Sequence, residues 1–225
     1  MSIEWILIIV IGVVGLIVQS RLQYVFNKYS RVMFPGGLTG RQVAEKMLRD
    51  NGITDVKVTS TPGHLTDHYN PQTRTVNLSE SVYNSNSVSA AAVAAHECGH
   101  AVQDAVGYAP LRMRSALVPA IQFSSTWSTW VIIIGLLVIN TFPYLFWLGI
   151  ALVAISALFS LITLPVEYNA SARALQWLKV SRTLDGEALV QARTALSWAA
   201  RTYLVAALSA IATLLYYISI ARRNN

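Results

Sequence analysis

Cysteine occurs once, at Cys98, so no internal disulfide can brace this chain. Aspartate, glutamate, lysine and arginine make up only 12% of the 225 residues, about half the usual share of a water-soluble domain. An ordinary soluble surface over the whole length is thereby excluded. There is no internal repeat, no low-complexity tract and no nucleotide-binding glycine loop. Basic residues are not interleaved with aromatics in a recognition pattern, so the net charge of +6 predicts membrane topology and contact with anionic lipid, and no nucleic-acid partner.

What the chain has in abundance is apolar sequence, 54% of its residues. Runs at 3–18, 118–139, 145–164 and 202–220 predict membrane helices, the first marginal in length. That first run carries Glu4 instead of a basic flank, lacks a small-residue cleavage site and continues through Leu22, Tyr24, Val25 and Phe26, which predicts an uncleaved anchor. Fifteen of the seventeen lysines and arginines fall in 19–116 and 165–201, and none in the loop 140–144; Arg222 and Arg223 run against this pattern. The positive-inside bias then puts both segments in the cytoplasm. The expected organisation is an anchor at 1–20, a cytoplasmic unit at 21–116, a membrane hairpin at 117–164, cytoplasmic helices at 165–201 and a last membrane helix at 202–225.

Within the first cytoplasmic segment stands His96-Glu97-Cys98-Gly99-His100, the H-E-x-x-H pattern of zinc hydrolases. The alanine-rich residues 89–95 lead into it and Gly107 follows, predicting a helix over about 88–106. On a helix, residues at i and i+4 share a face, so both imidazoles can bind one tetrahedral metal. Glu97 between them is placed to act as general base on a zinc-bound water. Cys98 turns away from that face and reads as a small packing residue.

A catalytic zinc needs a third protein ligand. Six residues after His100 the chain has Val106, which cannot bind metal, leaving distant carboxylates, Asp104 among them, or His64 and His68. Two membrane crossings return the chain to the side it left, and Glu167 is the first carboxylate after that return, within a stretch, 167–174, that reads as helix. This topology nominates Glu167; the competing reading pairs it with Arg173 at the lipid headgroups.

The segments HECGHAVQDA and LPVEYNASARAL, joined by a membrane hairpin, resemble the bacterial neutral zinc metallopeptidase family often called YugP-like, integral membrane relatives of the gluzincins. LTGRQVAEKML at 38–48, DHYNPQTRTVNLSESVY at 67–83 and LDGEALVQARTALSWAARTYLVAAL at 184–208 extend the likeness over most of the chain. The resemblance implies a mainly α, multi-pass membrane protein with a small α+β, gluzincin-like zinc peptidase domain. It implies zinc on His96, His100 and Glu167, with Glu97 as base. Gluzincins commonly carry an aspartate four residues beyond the glutamate ligand, where this chain has Ser171; Ser171, Asn169 and Asp104 remain alternatives for orienting a ligand histidine.

Ahead of the motif, Phe34-Pro35-Gly36-Gly37 breaks the chain, and Thr39 with Gln42 forms a capping box for a helix running to Asp50. Residues 56–59 and 74–78 predict strands, with a turn at 70–73. His64, His68, Tyr69 and Arg173 are the candidate donors to the oxyanion formed when water attacks a carbonyl. Expected partners are membrane lipids and membrane-protein or peptide substrates, with a second copy or a membrane partner protein left open. Two other functions compete: a non-enzymatic scaffold or partner subunit with structural zinc, and a zinc protease cutting within the membrane.

Overall fold

A computed structural model describes residues 3–34 and 36–223; Pro35, within the expected chain break, lies outside the described residues. The element order is α1 (Ile3–Tyr29), α2 (Gly40–Asp50), β1 (Lys57–Thr61), β2 (His68–Asn70), β3 (Thr75–Ser79), α3 (Glu80–Tyr83), α4 (Val88–Ala105), α5 (Ala109–Leu137), α6 (Pro143–Val180) and α7 (Gly186–Arg223). The chain is mainly helical, and α1, α5, α6 and α7 are each long and apolar enough to cross a membrane.

These helices outrun the apolar stretches that predict them. α5 starts at Ala109 and takes in Arg112 and Arg114, while α6 runs unbroken through Pro165. The stretch 167–174, expected to be helical, is so, as the continuation of the helix that begins at Pro143. Proline removes one hydrogen bond of the ladder, but Val166, Ala170, Ala174 and Leu178 beyond it form a fully buried stripe at helical spacing, and that packing holds the register.

Chain packing divides the molecule into two units. One comprises the described parts of 1–17, 112–165 and 202–225. Here a Cβ added at Gly135 would stand 2.7 Å from the backbone nitrogen of Phe146, so α5 and α6 approach backbone to backbone. Ile132, Phe146, Ile150 and Ala221 are buried together. Outward, Leu16 is 74% and Leu137 80% exposed. A surface of such residues suits hydrocarbon and not water.

The other unit comprises 18–111 and 166–201. The predicted capping box is present: the Thr39 hydroxyl accepts from Gln42 N–H and the Gln42 side chain accepts from Thr39 N–H. β3 is the central strand, parallel to β1 and antiparallel to β2. The β2–β3 turn is closed by Asn70, whose side-chain oxygen accepts from the Gln72 and Thr73 N–H groups at 2.9 and 3.2 Å. Val43 and Met47 of α2, Val76 and Leu78 of β3, Cys98 of α4 and Leu178 of α6 are buried in one core.

α4 lies within that core, which its composition explains. Ala90, Ala91, Ala92, Ala94 and Ala95 are all buried, and such small side chains let neighbouring elements come close. Ser87 caps its start by accepting from Ala90 N–H at 3.2 Å. Its end is fixed by Gly107, whose φ of +65° is left-handed and lets Tyr108 N–H reach back to the Gln103 carbonyl at 2.9 Å.

Candidate metal centre

His96 and His100 stand one turn apart on α4, their rings 4.9 Å between centroids at 84°. α6 brings Glu167 against both: its Oε2 is 3.2 Å from His96 Nε2 and 3.6 Å from His100 Nε2. One ligand atom from each of the three lies within 4.8 Å of the others, the spacing of residues able to hold a metal ion. His100 and Glu167 are buried and His96 is half-buried. Gly99 makes this meeting possible, since a Cβ there would stand 2.6 Å from the Ala170 carbonyl oxygen.

A network of fixed donors sets the orientation of His100. Arg173 Nε can only donate, and it donates to Asn169 Oδ1 at 2.7 Å. Gln103 Nε2 donates to the same oxygen at 3.0 Å and to the Val166 carbonyl at 2.8 Å. Gln103 therefore presents Oε1 to His100 Nδ1, 3.0 Å away. Oε1 can only accept, so the network assigns the hydrogen to Nδ1 and the lone pair to Nε2, which faces Glu167. On His96, Ser171 Oγ is 3.1 Å from Nδ1 and leaves Nε2 toward the carboxylate. Imidazole nitrogens and a carboxylate oxygen converging in this way fit a divalent cation of the zinc type.

Glu97 is buried beside this cluster and accepts from the Tyr69 backbone N–H at 3.0 Å. Burial pushes its carboxyl up to about 7; His96 opposes the rise, Glu167 and Asp67 add to it, and the Tyr69 N–H opposes it. A carboxyl near neutrality suits a group that takes and returns a proton. The Tyr69 hydroxyl lies 2.8 Å from Asp104 Oδ2, so this one residue of β2 bonds to α4 at two places. Cys98, on the opposite side of the helix, is buried with its thiol 3.6 Å from the Ala44 carbonyl, and burial pushes the thiol pKa up.

The structure thus brings His96, Glu97, His100 and Glu167 into one cluster, with Ser171 on His96. Asp104 contacts Tyr69, and Asn169 reaches His100 only through Gln103. Among the candidate oxyanion donors, Arg173 Nε bonds Asn169, and the His68 ring nitrogens lie against the Thr66 carbonyl at 2.8 Å and the Asn77 amide at 3.2 Å. His64 lines a cavity with Asp67. Gln103 escapes sequence reasoning. Its one visible signal is that it follows His100 by three residues, placing a polar amide on the face of α4 that packs on α6.

Comparison with known proteins agrees with this geometry. A family model described as "Putative neutral zinc metallopeptidase" matches residues 4–222. "Putative membrane protease YugP" of Bacillus subtilis (strain 168) is 40% identical over 202 residues, covering 90% of this chain and 89% of that protein. No solved structure matches the chain. With the family model matching nearly the whole chain and a relative 40% identical over 90% of it, the chain belongs to the neutral zinc metallopeptidase family.

Proposed function

We propose that this chain is a zinc-dependent membrane peptidase of the gluzincin type, with His96, His100 and Glu167 as zinc ligands and Glu97 as general base. The observation that carries the reading is the convergence of His96 and His100 Nε2 on the Glu167 carboxylate, with a base one residue from a ligand. A zinc ion held there supplies a Lewis acid that polarises the scissile carbonyl and acidifies the attacking water.

Glu97 takes a proton from that water as its oxygen bonds to the carbonyl carbon. It then returns the proton to the amine nitrogen as the carbon–nitrogen bond breaks, leaving a carboxylic acid and an amine, which pass the water's second proton between them to give carboxylate and ammonium, with no covalent enzyme intermediate. Tyr69 N–H holds the Glu97 carboxylate in place, and the Arg173–Asn169–Gln103 chain keeps the His100 lone pair on its metal-facing nitrogen.

The catalytic side is assigned to the cytoplasm by the clustering of lysine and arginine in 19–116 and 165–201. Glu167 follows the apolar run 145–164 by three residues, so the proposed substrates are membrane-protein tails, loops or peptides close to the lipid surface. α4 itself carries five polar residues between 96 and 104 and is not among the four helices apolar enough to span, which favours a wetted site over cleavage within the membrane.

The test is elemental analysis and cleavage together. The natural chain carries about one zinc, His96→Ala and Glu167→Ala lose it, and Glu97→Gln keeps it while losing cleavage of a membrane-tethered reporter peptide. Zinc without cleavage in the natural chain favours the scaffold. Cleavage surviving Glu97→Gln removes the assigned base.

A further inference from the structure

A cavity of about 540 Å³ opens between the end of α1, the segment before β2, the end of β3 and the first turns of α4. Its volume falls within the roughly 300–1,000 Å³ of small-ligand sites. Two of its walls are one step from Glu97. Val93 precedes Glu97 by four residues on α4 and therefore lies on the same face. Asp67 stands two residues before Tyr69, whose N–H donates to Glu97.

The lining is chemically divided. Phe26, Leu65, Val82 and Val93 give it apolar wall surface between uncharged polar side chains and His64, and Asp67 is its one acidic side chain among the described residues. That carboxylate is fixed in position: Oδ1 accepts from Ser79 N–H at 2.7 Å, and the Ser79 hydroxyl lies 3.1 Å from each oxygen. A carboxylate offers about four acceptor sites, so capacity remains for an incoming cation.

Apolar walls leading to a fixed anion match one kind of side chain, an aliphatic stem ending in a positive charge. We infer that this cavity is a substrate subsite beside the scissile bond and takes a lysine or arginine side chain, its charge on Asp67 and its stem against Val93, Val82 and Phe26. The inference rests on the peptidase reading and adds the substrate class to it.

Binding of zinc-directed probes separates the two. The zinc-loaded full chain in detergent is titrated calorimetrically with three hydroxamates, of Nα-acetyl-lysine, of Nα,Nε-diacetyl-lysine and of Nα-acetyl-leucine. The lysyl probe binds on the order of tenfold tighter than either uncharged probe, as a charge-assisted hydrogen bond provides. Asp67→Asn brings the three affinities to within about twofold of one another. Equal binding of all three to the natural chain overturns the subsite, with no variant needed, as does a lysyl preference that survives Asp67→Asn. Failure of every hydroxamate to bind zinc-loaded protein overturns the peptidase reading and the subsite with it.

Discussion

Gln103 Oε1 accepts from His100 Nδ1 at 3.0 Å, while the same amide donates to the Val166 carbonyl and to Asn169. One buried side chain thereby ties a candidate metal ligand to the helix that supplies the third. Gln103→Met removes the acceptor, and loss of such a partner lowers metal affinity about 10–100-fold. Competition against a chromophoric chelator measures this, and zinc affinity equal to that of the natural chain refutes the orienting role.

Gly99→Ala places a methyl group 2.6 Å from the Ala170 carbonyl oxygen, a backbone atom that cannot swing aside, so the helices must separate. Overpacking of this kind costs about 1–3 kcal/mol. It also draws Glu167 away from the histidines, so zinc content falls with melting temperature. Gly12→Ala, where an added Cβ meets nothing within 4 Å, is the control and retains its zinc.

Glu97→Gln stabilises the metal-free protein in a pH-dependent way. Burial raises the Glu97 carboxyl from 4.5 to about 7, so folding opposes its ionisation. The penalty is absent below about 4.5, where the carboxyl is protonated folded and unfolded, and complete above about 7. At about 1.4 kcal/mol per pH unit it approaches ~3 kcal/mol. With chelator present, the variant melts higher than the natural chain at pH 8 and level with it at pH 4; an unchanged difference between the two pH values contradicts the burial argument.

Tyr69→Phe removes the hydroxyl bonded to Asp104 but leaves the backbone N–H on Glu97. Stability falls by about 0.5–1.5 kcal/mol, the net worth of one such bond. Zinc content stays at the natural level. Loss of zinc would show that the phenol acts on the metal cluster and not only on Asp104.

The apolar runs made the four long helices legible, because a twenty-residue apolar stretch has few other ways to satisfy its backbone in lipid. Thr39 with Gln42, and Gly107, made helix ends legible through local hydrogen bonding that needs no tertiary knowledge. The pairing of His96 with His100 follows from helical period alone, whereas the approach of Glu167 to them required the chain's topology. Two features were hidden. Continuation of α6 through Pro165 depends on burial of Val166, Ala170 and Ala174 against other elements, and the role of Gln103 depends on an acceptor sixty-three residues away.

The candidate ligand set is divided between α4 and α6, and synthesis order separates the two. At roughly 5–20 residues per second, His100 leaves the ribosome some 3–13 s before Glu167. During that interval the nascent chain holds both imidazoles and the Glu97 carboxylate but not the third candidate ligand. The candidate site therefore stays incomplete until α5 and the first part of α6 have been made.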